Sequence, residues 1–106
     1  MRSVILSIVA ALSLSIVNWA WASEMPEVAK RNHCAGCHAI DKGIIGPAWQ
    51  AVADKYKGDA AARAKLSASI SRGSSGVWGN MLMPPYPKVN DADMKEMVNF
   101  IIGLGK

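Results

Sequence analysis

The spacing of apolar residues predicts helices along the chain and gives no run of alternating residues that would indicate a β-strand. In two stretches, apolar residues recur at intervals of three and four, as expected for helices that bury one face. These residues are Trp49, Val52, Ala53 and Tyr56 in the first stretch, and Met94, Met97, Val98 and Ile101 in the second. A third, alanine-rich segment places Leu66 and Ile70 on one face. The pattern therefore predicts an all-α domain.

Proline, glycine and asparagine residues predict where these helices begin and end. A first helix is expected over residues 25–38, with Pro26 in its first turn, and a second helix is expected to begin at Pro47. Gly58 and Asp59 should end the second helix and cap the third, which Gly73 should terminate. Asn90 should cap the last helix.

Two segments carry no helical pattern and are predicted to be loops. Residues 39–46 contain two glycines and a short apolar pair. Residues 73–87 begin with glycines and serines and end in three prolines. A connection as long as the second one usually has a function.

The first residues of the chain have the pattern of a secretory signal peptide. Arg2 precedes an uncharged apolar run over residues 4–17, and Ala20-Trp21-Ala22 forms a small-residue cleavage site. An uncleaved membrane anchor is the alternative, but serines interrupt the run and it is short for the ~20 residues of a membrane-spanning helix. We expect a signal peptide over residues 1–22 and one domain over residues 23–106.

Composition narrows the classes of function. The chain has a formal net charge of +4, but its basic residues are scattered, so a nucleic-acid-binding surface is not indicated. A domain of this length has a thin core, and both of its cysteines lie in one short motif, so neither can form a stabilising disulfide across the fold. A buried prosthetic group could supply the missing apolar surface.

The motif Cys34-Ala35-Gly36-Cys37-His38 indicates that group. In Cys-x-x-Cys-His, two thiols three residues apart can form thioethers with the two vinyl groups of one haem, and the histidine can ligate the iron. A thioredoxin-like redox pair would need a preceding strand, and a zinc site would need a fourth ligand, for which only His33 remains nearby. The sequence therefore predicts one covalently bound haem.

A second axial ligand must come from another part of the chain unless the iron is open to small molecules. After signal cleavage, the candidates are His33, Met25, Met81, Met83, Met94 and Met97. His33 and Met25 belong to the helix that carries His38, and Met94 and Met97 have core spacing on the last helix. Met83 is favoured over Met81 because the following Pro84 and Pro85 hold its backbone extended; Met81 is expected to fill a gap.

With these residues in view, the chain resembles the short bacterial class I cytochromes c over essentially all of the expected mature domain. The matching stretches are residues 27–30, 34–41, 46–49, 76–79, 83–85 and the terminal helix from Asp91. This chain departs from the family pattern at Ser69, where some members have an arginine that helps to hold a haem propionate, and at Tyr86, where many have an asparagine.

The resemblance implies a class I cytochrome c fold, with four or so short helices around the haem, and a role for each matching residue. Cys34 and Cys37 would carry the thioethers, and His38 and Met83 would be the axial ligands. The Pro47 carbonyl would accept the other N–H of His38. Trp78 would donate its indole N–H to a haem propionate, with simple aromatic packing as the alternative. The first and last helices would cross, with Phe100 near the first.

The function implied by this resemblance is one-electron transfer in the periplasm by a monomer, without catalysis. Its partners would be respiratory reductases or terminal oxidases. They would dock at the haem edge near Cys34 and Cys37, inside a ring of basic side chains. Candidates for that ring are Lys30, Arg31, Lys42, Lys55 and Lys88. A membrane-anchored cytochrome subunit, and an enzyme or gas sensor with an open iron, are the alternative functions.

Overall fold

The computed structural model describes residues 24–105, which form four α-helices and one short 3-10 turn. In chain order these are α1 (Glu27–Arg31), the 3-10 turn (Cys34–Gly36), α2 (Trp49–Lys55), α3 (Ala62–Arg72) and α4 (Asp91–Gly103). Between residues 24 and 105, β pairing is limited to two isolated bridges. The all-α prediction is therefore confirmed, whereas the expected signal peptide lies outside the described residues.

Helix α1 packs against α4, as the resemblance implied. Val28 and Ala29 of α1 are buried, and the Arg31 guanidinium lies 3.0 Å from the Asp93 carboxylate in the first turn of α4. Phe100 of α4 packs against the core that contains Val28 and Ala29. The crossing of these two helices brings the two ends of the domain together.

The core is small and draws on every helix. Its buried members are Val28, Ala29, Trp49, Val52, Leu66, Met97, Val98 and Ile101. The apolar faces predicted for α2 and α4 supply most of this set, while Tyr56 and Met94 are partly buried against it. The predicted faces of both helices are confirmed.

The first helix is shorter than predicted. Instead of continuing to His38, α1 ends at Arg31, and His33 adopts a left-handed conformation with φ 58°. The Asn32 side-chain amide donates to the carbonyl of Val28 at 2.8 Å and so satisfies a carbonyl at the helix end. Because asparagine and histidine are weak helix formers that tolerate this conformation, the chain turns here and starts the 3-10 turn in a new direction.

The second helix begins at Trp49, not at the predicted Pro47, and Ala48 is its N-cap. The loop before it explains the delay. The Trp49 and Gln50 amides donate to the carbonyls of Ala39 and Ile40, each at 3.0 Å, so the loop satisfies N–H groups of the first turn. Pro47 is thereby left outside the helix.

Helices α3 and α4 show how well capping signals were predicted. Asp59 does not cap α3 directly, since Ala61 is the N-cap, but its carboxylate accepts the Ala61 amide at 2.8 Å. Gly73 ends α3 with φ 81°, as predicted. The Asn90 side chain accepts the Asp93 amide at 2.8 Å and caps α4, also as predicted.

Candidate functional site

The helices and loops enclose a cavity of 340 Å³. Most of its lining is aliphatic, aromatic or sulfur-containing, and its floor is the core itself, including Val28, Trp49, Val52, Leu66, Met97 and Ile101. None of the described residues that line it is an Asp, Glu, Lys or Arg. Cys34, Cys37, His38, Pro47, Trp78 and Met83 all contribute to the lining. The sequence-predicted site residues therefore meet at one cavity.

The 3-10 turn presents the two cysteines to this cavity. In such a turn, residues three apart lie almost directly above one another, which suits Cys34 and Cys37. The amides of Cys37 and His38 both donate to the Cys34 carbonyl, at 3.1 and 2.9 Å. Neither cysteine is in a disulfide, both are partly exposed, and burial is the main cause that raises the pKa of the Cys34 thiol. These thiols are available to form bonds with a group in the cavity.

The His38 imidazole is fixed by its neighbours. The ring is buried, and its Nδ1 lies 2.7 Å from the Pro47 carbonyl oxygen. Because a carbonyl only accepts, Nδ1 carries the proton and donates it, which leaves the lone pair on Nε2 for a metal. The Trp49 ring lies nearly parallel to the imidazole, with centroids 5.4 Å apart and an interplanar angle of 15°.

Trp49 itself is held from two directions. Its indole is buried and meets the edge of Phe100 at 5.7 Å, with the two rings nearly perpendicular. Its amide is bonded to the loop, as described above. Sequence reasoning placed Trp49 on the core face of α2 and missed its contact with His38, because helical spacing does not show which core residue meets a ligand.

Met83 lies on a different segment of the lining, and its backbone is fixed by pairing. The amide and carbonyl of Met83 form hydrogen bonds with the carbonyl and amide of Ser74, at 2.8 and 3.0 Å. Three residues further along, the Tyr86 amide donates to the Ile70 carbonyl at 2.8 Å and ties the loop to the end of α3. Pro84 and Pro85 were the sequence signal for Met83, but the bridge to Ser74 could not be seen from sequence.

The close approach of this loop to α3 depends on Gly73. A Cβ on Gly73 would lie 2.6 Å from the Met83 carbonyl oxygen and 3.2 Å from the Pro85 nitrogen. The left-handed φ of Gly73 is also one that other residues adopt at a cost. Gly73 therefore both ends α3 and makes room for the segment that carries Met83.

The mouth of the cavity is unusually apolar for a surface. Six large apolar side chains are exposed among the described residues: Ile44, Ile45, Val77, Trp78, Met81 and Leu82. All except Ile44 line the cavity. Met81 is 57% exposed. Side chains of this kind suit a large apolar group that would cover them.

Trp78 lines the cavity and has a lysine side chain over its ring. Its ring is 39% exposed, and the Lys55 ammonium lies 5.2 Å from the ring centroid. Such a contact is favourable because the ring face is electron-rich. Lys55 is thus the cation that the structure places beside this part of the cavity lining.

Tyr86 adds a polar group to the same cavity. It is partly buried, and burial is the main cause that raises the pKa of its phenol. Tyr86 therefore remains a neutral hydroxyl at neutral pH, close to the turn that carries the two cysteines.

The cavity fits a haem by the chemistry of its lining. It offers two thiols, an imidazole nitrogen with a free lone pair and a thioether, set among apolar side chains that would contact a macrocycle. A small helical domain built around such a site is that of a c-type cytochrome.

Comparisons with known proteins agree with this description. The family described as cytochrome c matches residues 24–105. The chain is 38% identical to cytochrome c-552 of Nitrosomonas europaea over 104 residues, which cover 98% of this chain and 99% of the relative. It is 44% identical to cytochrome c-551 of Allochromatium vinosum over 77 residues, or 73% and 82% of the two chains.

Solved structures show the same relationship. The crystal structure of wild-type Nitrosomonas europaea cytochrome c552 superposes with a TM-score of 0.70 at 41% identity, covering 74% of this chain and 96% of that one. The chain belongs to the cytochrome c family, and its fold is that of the class I cytochromes c. It is an electron carrier with covalently attached haem c, not an enzyme.

Proposed function

We propose that this protein is a periplasmic one-electron carrier whose haem is attached through Cys34 and Cys37 and ligated by His38 and Met83. The observation that carries the proposal is the meeting of these four side chains at one apolar cavity. The bound haem would supply an iron that cycles between Fe(III) and Fe(II). The protein residues would attach it, fill both axial positions and exclude water.

The state of His38 supports its assignment as a ligand. The bond to the Pro47 carbonyl fixes the tautomer and holds Nδ1 against that oxygen, which leaves Nε2 as the only basic nitrogen. A hydrogen bond of this kind also strengthens an imidazole as a donor. Pro47 would thus tune the ligand without touching the iron.

The lining and the Met83 thioether would both favour the reduced iron. Apolar surroundings disfavour the extra positive charge of Fe(III), and a methionine ligand stabilises Fe(II) relative to a second nitrogen donor. We therefore expect a positive reduction potential. With both axial positions filled, the protein would pass electrons without binding a substrate.

Trp78 would form a hydrogen bond with a propionate at the charged edge of the haem. Haem carries two propionates, but the described lining contains no cationic side chain. The indole N–H of Trp78 is a donor beside Lys55, so this pair supports the assignment of a propionate contact to Trp78.

The partners of the protein are redox proteins, and we propose that they are respiratory reductases or terminal oxidases in or facing the periplasm. The location follows from the proposed removal of residues 1–22 as a signal peptide. Among residues 24–105, no helix is long and apolar enough to cross a membrane. The protein would meet its partners as a monomer.

Intact mass and a gas-binding spectrum test this proposal together. The purified protein should have the mass of residues 23–106 plus one haem, and carbon monoxide should leave the spectrum of the reduced protein unchanged at first. A mass that retains residues 1–22 would instead support an anchored cytochrome subunit. An immediate response to carbon monoxide would show an open iron and contradict the assignment of Met83.

A further inference from the structure

We propose that Gly46 is a positioning residue for the His38 ring, because its lack of a side chain lets the loop backbone lie against the face of the imidazole. This inference rests on the proposed role of His38 as an axial ligand. In this proposal, Gly46 helps to set the angle of the imidazole plane. The hydrogen bond to Pro47 alone does not determine that angle, because the ring can still turn about the direction of the bond.

The contact is close and lies over the ring face. A Cβ on Gly46 would lie 2.7 Å from Cε1 of His38, 3.0 Å from Nδ1 and 3.1 Å from Nε2. If the Cβ lay in the ring plane beyond Cε1, both nitrogens would be much further away than Cε1. The nearly equal distances therefore place the added carbon above the ring, where it would press on its face.

The backbone conformation of Gly46 does not by itself require glycine. The glycines with positive φ between residues 24 and 105 are Gly58, Gly73, Gly76 and Gly79, and Gly46 is not among them. An alanine could adopt the backbone angles of Gly46 without left-handed strain. The space occupied by the His38 ring is thus the reason for a glycine at this position.

The loop cannot easily move away to admit a side chain. The Gly46 amide donates to the Cys37 carbonyl at 2.7 Å, and the Gly46 carbonyl accepts the Ile44 amide at 3.1 Å. A second contact between loop and motif is the bridge from Gly43 to His38. Because Gly46 is bonded on both sides, an added methyl group should displace the ring more readily than the backbone.

The ring can respond only within limits set by two other contacts. The Pro47 carbonyl holds Nδ1, and the parallel Trp49 ring restricts tilting. A push at Cε1 should therefore turn or tilt the imidazole and weaken one of these contacts. Since the plane of an axial imidazole determines how its orbitals meet those of the iron, the electronic structure of the oxidised iron should report the change.

The matched pair Gly46→Ala and Gly43→Ala tests this idea. Both glycines lie in the same loop, but a Cβ on Gly43 would meet only the Gly46 carbonyl oxygen at 3.7 Å, an ordinary contact. The measurements are the spread of the four haem methyl resonances in the oxidised protein by NMR, the reduction potential and the free energy of unfolding. Gly46→Ala should change the methyl pattern and the potential, whereas Gly43→Ala should leave both near their wild-type values.

A loss of stability in Gly46→Ala with an unchanged methyl pattern would show a packing role only and overturn the proposal. Should Gly46→Ala give too little holoprotein, the wild-type reduced protein provides a second test. A nuclear Overhauser effect is expected between a Gly46 Hα and the His38 Hε1, and its absence would also overturn the proposal. Iron-shifted His38 resonances in the oxidised wild type test the ligand assignment separately.

Discussion

Two segments of the cavity lining, each with one proposed axial ligand, are held in different ways. The His38 segment, residues 34–49, fixes its ligand through the side chain, by the hydrogen bond to Pro47 and the parallel ring of Trp49. The Met83 segment, residues 73–86, fixes its ligand through backbone hydrogen bonds, to Ser74 at one point and through Tyr86 at another. The His38 imidazole itself is held by other residues of the chain, whereas for Met83 only the backbone is held and the thioether side chain is not.

The two segments also differ in exposure. His38 is buried, whereas the Met83 segment contains most of the exposed large apolar side chains, among them Trp78, Met81 and Leu82. Side chains of this kind gain stability only when something covers them. The His38 side is therefore preorganised by the polypeptide, and the Met83 side depends on the haem for its packing. We expect the bond to Met83 to break before the bond to His38 under mild denaturation.

Replacing Cys34 and Cys37 by alanine should have the largest effect, because it removes the group on which both segments converge. Six core residues line the cavity, so without haem much of a small core would face solvent. We expect the double variant to lose most of its helical circular dichroism. If it keeps native helix content without haem, the core is sufficient alone and the haem is not part of it.

Met83→Ala should remove the proposed ligand on the Met83 side of the iron and leave the His38 ligand in place. The weak sulfur-to-iron absorption of the oxidised protein should disappear, and added ligands such as imidazole should bind the iron. Met81→Ala is the matched control, since Met81 also lines the cavity but is largely exposed. If Met81→Ala abolishes the absorption and Met83→Ala does not, the ligand assignment is wrong.

Gly73→Ala should weaken the Met83 side without touching a ligand. The φ of 81° and ψ of 173° at Gly73 lie in a region that is essentially restricted to glycine, so another residue there costs roughly 1–3 kcal/mol. The contact with the Met83 carbonyl oxygen at 2.6 Å adds a cost on the order of 1–3 kcal/mol, as for other overpacked sites. Gly76→Ala is the control, because its φ of 79° is similar but a Cβ there meets nothing within 4 Å. Denaturant titration followed at the sulfur-to-iron absorption would give the difference; equal losses in the two variants would show that the contact is unimportant.

The functional residues of the two segments could be predicted from the sequence, but the end of α1 could not. The spacing of Cys34, Cys37 and His38 is local chemistry, and a proline pair marks Met83, so these residues could be found without a structure. The end of α1 at Arg31 could not, because it depends on the Asn32 side chain bonding back to Val28 and on the left-handed His33. A continuous apolar pattern does not show such a break.

Contacts of a helix with residues outside it were the least predictable part of the site. Trp49 has core spacing on α2, and only the fold shows that its ring lies beside His38. The delayed start of α2 likewise depends on the carbonyls of Ala39 and Ile40, which accept its first amides. These are tertiary arrangements that periodicity along one helix does not contain.

Charge reversal near the cavity should have the smallest effect on the stability of the protein. Its effect on the rate of association with a redox partner can show which of the two segments faces that partner. Of the predicted basic ring, Lys30 pairs with Glu27 at 3.2 Å and Arg31 with Asp93 at 3.0 Å, while Lys55 lies over Trp78. Surface pairs of this kind contribute about 0–1 kcal/mol, so reversing one charge should change stability little. Its long-range effect on association with an acidic partner is larger, because steering acts before contact.

We compare the electron-transfer rates of two variants. Lys42→Glu lies on the His38 segment, and Lys88→Glu lies just beyond the Met83 segment. Each changes the net charge by the same amount, so a difference between them reports position. Stopped-flow electron transfer with the physiological partner should slow in the variant whose segment faces that partner, and the dependence on ionic strength should flatten. The reduction potential should stay close to that of the wild type, because both side chains are exposed and lie outside the cavity lining. We expect Lys42→Glu to slow transfer more, since Lys42 follows the partly exposed Cys34 and Cys37 by only a few residues and electrons leave most easily by the shortest path. Equal rates in both variants at every ionic strength would place the docking surface away from this edge.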